Sequence, residues 1–333
     1  MPEEPKKKSI WNRLMAIMLL IVGVLIVLVL YISYFKDRTL DFSFKYSPVN
    51  YTAGAYTTKD TFASDLVVSN NYVDLEGFEL TGPAERALLF ETDSNSVLFA
   101  HGIYEKAYPA SLTKIMTAIL AIECGDMEDV VTMEAADFML EEGSQNSNMV
   151  AGDQVTLKQL LEVMLVYSAN DASNAIARHI AGSTDAFVDM MNEKAHSLGM
   201  LGTNFVNAHG LHDDDHYTCA YDVYLMLNEA MNLPLFNEII RMSSYTLDVT
   251  RGDTVVSYYY DSTDEFLTGL QSVPEGVILW GGKTGTTPEA GANIALIAQD
   301  EDGIPYISVV MNADKKTILY EDMSALLACI NEA

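Results

Sequence analysis

Ser111 and Lys114 stand one helical turn apart in the stretch YPASLTKIMTA, among apolar neighbours. On a helix that spacing places both side chains on one face. A serine hydroxyl is a weak nucleophile until a base takes its proton. A lysine can be that base once it is desolvated or set beside another cation, because both lower its pKa. The start of a helix adds free backbone N–H groups and a dipole that favour developing negative charge. The same S-x-x-K pattern recurs at Ser33-Tyr34-Phe35-Lys36, but that serine sits at the end of an apolar run with no site around it.

Two further patterns supply what such a nucleophile needs. S-x-N occurs at Ser69-Asn70-Asn71, Ser144-Gln145-Asn146 and Ser168-Ala169-Asn170. The first falls in a polar stalk and the second in a polar loop, EEGSQNSN, without apolar support. The third joins two helical patterns, a rigid place from which to aim a hydroxyl and an amide. Lys283-Thr284-Gly285, followed by Thr286, closes an apolar strand-like run. A cation and hydroxyls on a strand edge can hold a carboxylate, and a glycine lets a substrate backbone approach closely.

The elements that must position these residues can be read from periodicity. ERALLFETD and VLFAHGI flank Ser94-Asn95-Ser96 as a hairpin, and Leu112, Ile115, Met116, Ile119 and Leu120 recur at helical spacing after Pro109. TLKQLLEVMLVY is a helix opened by a Thr156–Gln159 capping box. DASNAIARHIAG and STDAFVDMMNEKAHSLG are helices that end on glycine, and SALLACINEA is a last one. VILWGGKTG and ANIALIAQDEDGIPYISVVMNA read as three strands, the last two joined across DEDG. Hairpin, helices, three strands and a helix describe an α/β (α+β type) domain with an antiparallel sheet flanked by helices and a helical subdomain.

Ahead of it the chain is organised differently. Leu14 to Phe35 carries no charge and no polar stripe, long enough for an apolar helix to cross a bilayer core of about 30 Å. No small-x-small cleavage site precedes Lys36, so an uncleaved anchor is expected rather than a signal peptide. Residues 1–13 form the expected tail, 14–35 the transmembrane anchor, 36–80 a stalk rich in Tyr, Thr, Ser and Asn, and 81–333 the folded domain. The formal net charge of −28 argues against a nucleic-acid partner, which needs a basic face. Three cysteines without CxxC spacing imply no disulfide framework and are expected to be buried and free. HGLHDDDH gathers His209, His212 and His216 beside Asp213, Asp214 and Asp215, but the spacing fits no metal motif and the run reads as a loop. No metal or cofactor is expected.

In the order S-x-x-K, S-x-N, K-T-G, the three patterns form the trio of penicillin-binding proteins and β-lactamases. Residues 80 to 333 resemble the low-molecular-mass penicillin-binding proteins, serine-type D-alanyl-D-alanine carboxypeptidases. The likeness extends over YPASLTKIMTA, ANDASNAIARHIAGS, FVNAHGLHDDDHYT and KTGTTPEAGA. It implies a β-lactamase/DD-peptidase-like fold, peptidoglycan stem peptides as substrate and acylation by β-lactams. It makes Ser111 the acylated nucleophile and Lys114 its base, and has Ser168 relay a proton to the leaving amine. Asn170 would bind the substrate peptide, and Lys283, Thr284 and Gly285 the region of the terminal carboxylate. The N–H groups of Ser111 and Thr286 would form the oxyanion hole. Ala169 stands where glycine is common, and SYYYDSTDEFLTGLQSVPEG lacks the asparagine-rich segment expected before the KTG strand.

Such a substrate places the domain outside the cell membrane, and the positive charges favour an inside N-terminus only slightly: Lys6, Lys7, Lys8 and Arg13 before the span against Lys36, Arg38 and Lys45 after it. Two rivals are weaker. A class A β-lactamase needs an E-x-x-x-N stretch, and none of Glu193, Glu229, Glu238, Glu265 or Glu275 has Asn four residues on; for the class C Tyr-Ala-Asn pattern, Tyr167 is one place early. A sensor that is acylated without turnover would have to report through a very short tail.

Overall fold

Strand β1 (Tyr72–Val73) leads into a hairpin of β2 (Arg86–Glu91) and β3 (Ser96–His101), and a 3-10 turn (Ala110–Leu112) then opens α1 (Thr113–Cys124). Strands β4 (Val130–Thr132) and β5 (Gln154–Thr156) precede α2 (Leu157–Val166), α3 (Asn170–Ala181), α4 (Thr184–Ser197), α5 (Ala220–Ala230) and α6 (Pro234–Ile239). A second hairpin, β6 (Ser244–Arg251) and β7 (Thr254–Asp261), is followed by β8 (Ile278–Thr287), β9 (Gly291–Gln299), β10 (Pro305–Ala313) and α7 (Lys316–Ala328). This computed structural model describes residues 69–82 and 85–332. The expected anchor at 14–35, the tail and most of the stalk lie outside the described residues. Among the described residues no helix is long and apolar enough to cross a membrane.

The main sheet runs β1-β3-β2-β10-β9-β8, every pair antiparallel. Its central strands read as unbroken apolar runs because both faces are covered. Leu88, Phe90, Ala295, Ile297, Ile307 and Val309 turn to one side, onto a core built with α1, α2, α3 and α5. Their neighbours Ala87, Leu89, Ile294, Leu296, Tyr306 and Val310 turn to the other, onto Leu319, Met323, Leu326 and Leu327 of α7. Helix α1 lies inside the first core, with every residue from Thr113 to Ala121 buried. An all-round apolar sequence is what a fully enclosed helix requires. By contrast α4 buries only Phe187, Met191 and Ala195, a single stripe at i, i+4, i+8.

Three expectations need correction. The stalk was bounded at residue 80, yet Tyr72 pairs with His101 and Phe78 packs edge-on against Phe99 at 4.7 Å between ring centroids. The folded part therefore already includes residue 72, held by contacts 21 to 29 residues downstream that periodicity cannot display. One antiparallel sheet was expected; a second exists, ordered β4-β5-β6-β7, in which β6 and β7 are the tyrosine-rich stretch ahead of β8. The cysteines are all free, but only Cys219 and Cys329 are buried, while Cys124 is exposed.

Where the entering chain meets α7, two carboxyl groups are buried together. Glu85 and Asp322 are each 2% exposed, and Asp322 accepts from the Thr81 N–H (3.1 Å) and hydroxyl (2.7 Å). Burial, and then the neighbouring Asp322, push Glu85 up to about 8. A carboxyl raised in the folded state favours folding only while it keeps its proton. Between the ordinary carboxylate range and about pH 8 the unfolded chain ionises and the folded one resists, so stability falls as pH rises through that window. Urea midpoints measured at pH 5 and pH 8 should therefore fall more steeply for the native chain than for Glu85→Gln; parallel slopes would refute the buried proton.

Candidate active site

The turn that carries Ser111 is held in an unusual backbone state. Ala110, just before Ser111, has φ of 47°, in the left-handed region that costs a residue with a Cβ about 1 kcal/mol or more. The turn Tyr108–Ala110 is fixed from three sides. Asn293 of β9 donates its amide to the carbonyls of Tyr108 (2.9 Å) and Pro109 (3.3 Å), and Thr113 donates its hydroxyl to the Ala110 carbonyl at 2.8 Å. Gly285 of β8 backs the turn so closely that a Cβ there would lie 2.7 Å from the Ser111 nitrogen. Glycine at that position is required by contact with the turn that carries Ser111.

Lys114 is fully buried on α1. Its Nζ lies 2.9 Å from Ser111 Oγ, 2.7 Å from Asn170 Oδ1 and 2.6 Å from the His209 carbonyl. Burial, reinforced by the nearby Lys283 ammonium, holds its pKa well below that of an ordinary lysine; Asp171 acts weakly the other way. Once the amine gives up its extra proton, its partners decide what it does. Asn170 Oδ1 and the His209 carbonyl can only accept, so they take its two hydrogens. The remaining lone pair then points at the one partner with a proton to give, the Ser111 hydroxyl.

The second motif caps α3. Ser168 adopts φ of 69°, and its Oγ is buried with no hydrogen-bond partner among the described residues while lining the cleft. Ala169 has ordinary extended angles (φ −62°, ψ 125°) and is buried, so alanine fits there without strain. Asn170 begins the helix, and its N–H donates to the Gln145 carbonyl at 2.9 Å. Gln145 returns its amide to the Tyr167 carbonyl, and Asp171 accepts from Ser147 N–H at 2.9 Å. The polar loop 141–147, passed over in the sequence, is thereby docked onto the second motif, and Ser144 and Gln145 line the cleft. Ser69-Asn70-Asn71 takes no part; its Ser69 carbonyl and Asn71 side chain hold Tyr104.

The third motif lies on β8, where Lys283, Thr284 and Gly285 pair with Ala295, Ile294 and Asn293 of β9. Pleating sends alternate side chains to opposite faces. Thr284 and Thr286 line the cleft, and Thr284 Oγ1 donates to Thr263 Oγ1 at 2.7 Å. Lys283, on the same strand, is buried. It is 1% exposed, its Nζ donates to the Thr284 carbonyl at 2.9 Å, and it does not line the cleft. Burial lowers its pKa to about 7, against the opposing pull of Asp264. The Lys283 Nζ is thus held by the Thr284 carbonyl, and its charge bears on Lys114. The lysine at the cleft is Lys316, at the start of α7. Nothing in DKKT marks it in the sequence, because the packing of α7 on β10 and β9 brings it there.

The cleft has a volume of about 570 Å³, with Ser111, Ser168 and Asn170 on one wall and Thr284 to Thr287 on the other. His209 and His216 turn inward as side-chain props, while His212 lines the cleft. Burial pushes His209 down to about 3 and His216 to about 4, so both are neutral near pH 7. Among the described residues no cluster of metal-ligating side chains is present.

A family model described as D-alanyl-D-alanine carboxypeptidase matches residues 78–315. The chain is 35% identical over 218 residues to the D-alanyl-D-alanine carboxypeptidase DacF of Bacillus subtilis, covering 64% of this chain and 53% of that one. It is 30% identical over 268 residues to DacA of Haemophilus influenzae, covering 77% and 65%. The chain thus spans about half to two thirds of these relatives' length. Its fold matches the crystal structure of a D-alanyl-D-alanine carboxypeptidase from Mycobacterium tuberculosis with a TM-score of 0.68 at 27% identity, covering 78% of this chain and 96% of that one. A Streptomyces DD-transpeptidase variant matches with a TM-score of 0.69 at 23% identity, covering 74% and 97%, a likeness of fold alone.

Proposed function

The chain belongs to the D-alanyl-D-alanine carboxypeptidase family, and from that premise we propose that it removes the terminal D-alanine from peptidoglycan stem peptides through a Ser111 acyl-enzyme. The observation that carries this reading is the Lys114 amine, whose two carbonyl partners leave its lone pair for the Ser111 hydroxyl.

Ser111 Oγ attacks the carbonyl carbon of the D-Ala-D-Ala peptide bond as Lys114 takes its proton. The oxyanion that forms is met by the backbone N–H groups of Ser111 and Thr286. Ser168, its buried hydroxyl without a hydrogen-bond partner among the described residues, hands a proton to the departing D-alanine nitrogen and recovers one from Lys114. Asn170 gives its oxygen to Lys114, so its amide hydrogens are left for the substrate peptide. Water then attacks the Ser111 ester, Lys114 again serving as base, and the shortened stem peptide leaves. β-Lactams enter by the same first step and acylate Ser111.

We assign the terminal carboxylate to Lys316 together with the Thr284 and Thr286 hydroxyls, all three at the cleft. A charge-assisted contact of that kind contributes about 1.5–3 kcal/mol, so Lys316→Ala should lower kcat/KM for D-alanine release by about ten- to a hundredfold. Substrate blocked as its C-terminal amide should lose a similar factor with the native enzyme. Combining the two should add little, since the pair is already broken. Losses that multiply in full would remove Lys316 from this role. Absence of D-alanine release from an acylated enzyme would remove the carboxypeptidase reading altogether.

We further propose that residues 14–35 anchor the chain in the cell membrane with this domain outside, as the location of its substrate requires. Protease added to intact cells should strip the domain and leave a small membrane-bound fragment. A mature chain that begins after Phe35 would refute an uncleaved anchor.

A further inference from the structure

Behind the nucleophile a second chain of side chains ends on the peptide bond that carries the Ser111 N–H. His216 is 1% exposed, and its two ring nitrogens have different partners. The Val206 N–H donates to Nδ1 at 3.0 Å, so Nδ1 holds a lone pair. Nε2 lies 2.7 Å from Thr113 Oγ1, whose single hydrogen goes to the Ala110 carbonyl at 2.8 Å. The direction of the chain follows: Nε2–H donates to Thr113, and Thr113 donates to Ala110.

The ring itself cannot drift. Tyr217 and Thr218, which follow it, form isolated bridges to Asn204 on one side and to Ala107 on the other. Phe205 packs edge-on against the imidazole, with ring centroids 5.7 Å apart. Gly210 closes the space from the same loop, since a Cβ there would overlap the Ala110 oxygen at 1.8 Å. The Thr113 hydrogen bond and the close approach of Gly210 bear directly on Ala110, which is held with φ of 47°.

The Ala110 carbonyl and the Ser111 N–H belong to one planar peptide unit and point in opposite directions. Fixing the oxygen fixes the N–H. We propose that His216 is a positioning residue that, through Thr113 and the Ala110 carbonyl, aims the Ser111 N–H at the oxyanion formed in the cleft. Relaxation of Ala110 towards the right-handed region would swing that plane and turn the donor away while Ser111 Oγ stayed near Lys114. The effect belongs to the transition state, because substrate binding does not use this N–H as fully as the oxyanion does. This inference rests on Ser111 being the nucleophile.

The test compares paired variants at equal numbers of active sites, counted by titration with a fluorescent penicillin. His216→Gln keeps an N–H donor at the Nε2 position, whereas His216→Asn keeps an acceptor at Nδ1 and loses the donor. Thr113→Ser keeps the relay hydroxyl and Thr113→Val removes it at similar volume. The Asn and Val variants should lose about tenfold or more in acylation rate and kcat per active site with KM unchanged, in line with a misaimed oxyanion donor. The Gln and Ser variants should stay within about threefold of the native rate. A purely structural role would lower melting temperature and the titratable fraction alike and leave the rate per site intact. Native per-site rates in both Asn and Val, or equal losses within each pair, would overturn the proposal. If His216→Asn does not fold, the Thr113 pair decides alone. A native enzyme that is not acylated at Ser111 would instead overturn the functional reading on which this rests.

Discussion

Ser111→Ala is expected to abolish covalent labelling by a fluorescent penicillin and to lower D-alanine release by about 10⁴-fold or more. The size of the effect follows from the surroundings. Lys114 is aimed at one hydroxyl, and its other two partners are acceptors that offer no alternative nucleophile. Ser168 is the nearest substitute by type, but its Oγ makes no hydrogen bond to a base among the described residues. The variant should keep its fold, because among the described residues Ser111 Oγ is partnered only by Lys114. Mass spectrometry of the labelled native protein should find one modified peptide containing Ser111. Labelling that survives in Ser111→Ala would sink the mechanism.

Lys114→Met should lower the acylation rate by about 10²–10⁴-fold, the usual contribution of a positioned general base. The pH profile makes the same point with a sign. An ammonium cannot accept the Ser111 proton, so the native rate should fall as pH drops through the Lys114 pKa, and that acid limb should lie well below the ordinary lysine range. Lys283 is part of the cause, since its charge disfavours a second cation on Lys114. Lys283→Met removes that repulsion, raises the Lys114 pKa and should move the acid limb to higher pH. A limb that stays in place in Lys283→Met would show that burial alone sets the base. An unchanged rate in Lys114→Met would mean that Ser111 is activated by another group.

The sequence alone carried the reactive residues, because their chemistry is local. Ser111 and Lys114 meet through one helical turn, so residue type and spacing suffice to bring Oγ and Nζ together. Ser168 and Asn170 sit at a helix junction that capping and periodicity locate, and β8 to β10 are legible because a strand buried on both faces is apolar throughout. Tertiary structure decided which charge faces the cleft and which lies beneath it. Lys283 on β8 is buried where its charge bears on Lys114, and the docking of α7 on β10 and β9 brought Lys316 to the cleft. The same holds for the loop at Ser144 and Gln145, whose place depends on Asn170 and Asp171 many residues away. The early strand β1 and the second sheet were hidden for that reason, their pairing being set by partners far along the chain. A helix or a motif is written in its own few residues, while a cleft is made by surfaces that meet only after the chain has closed on itself.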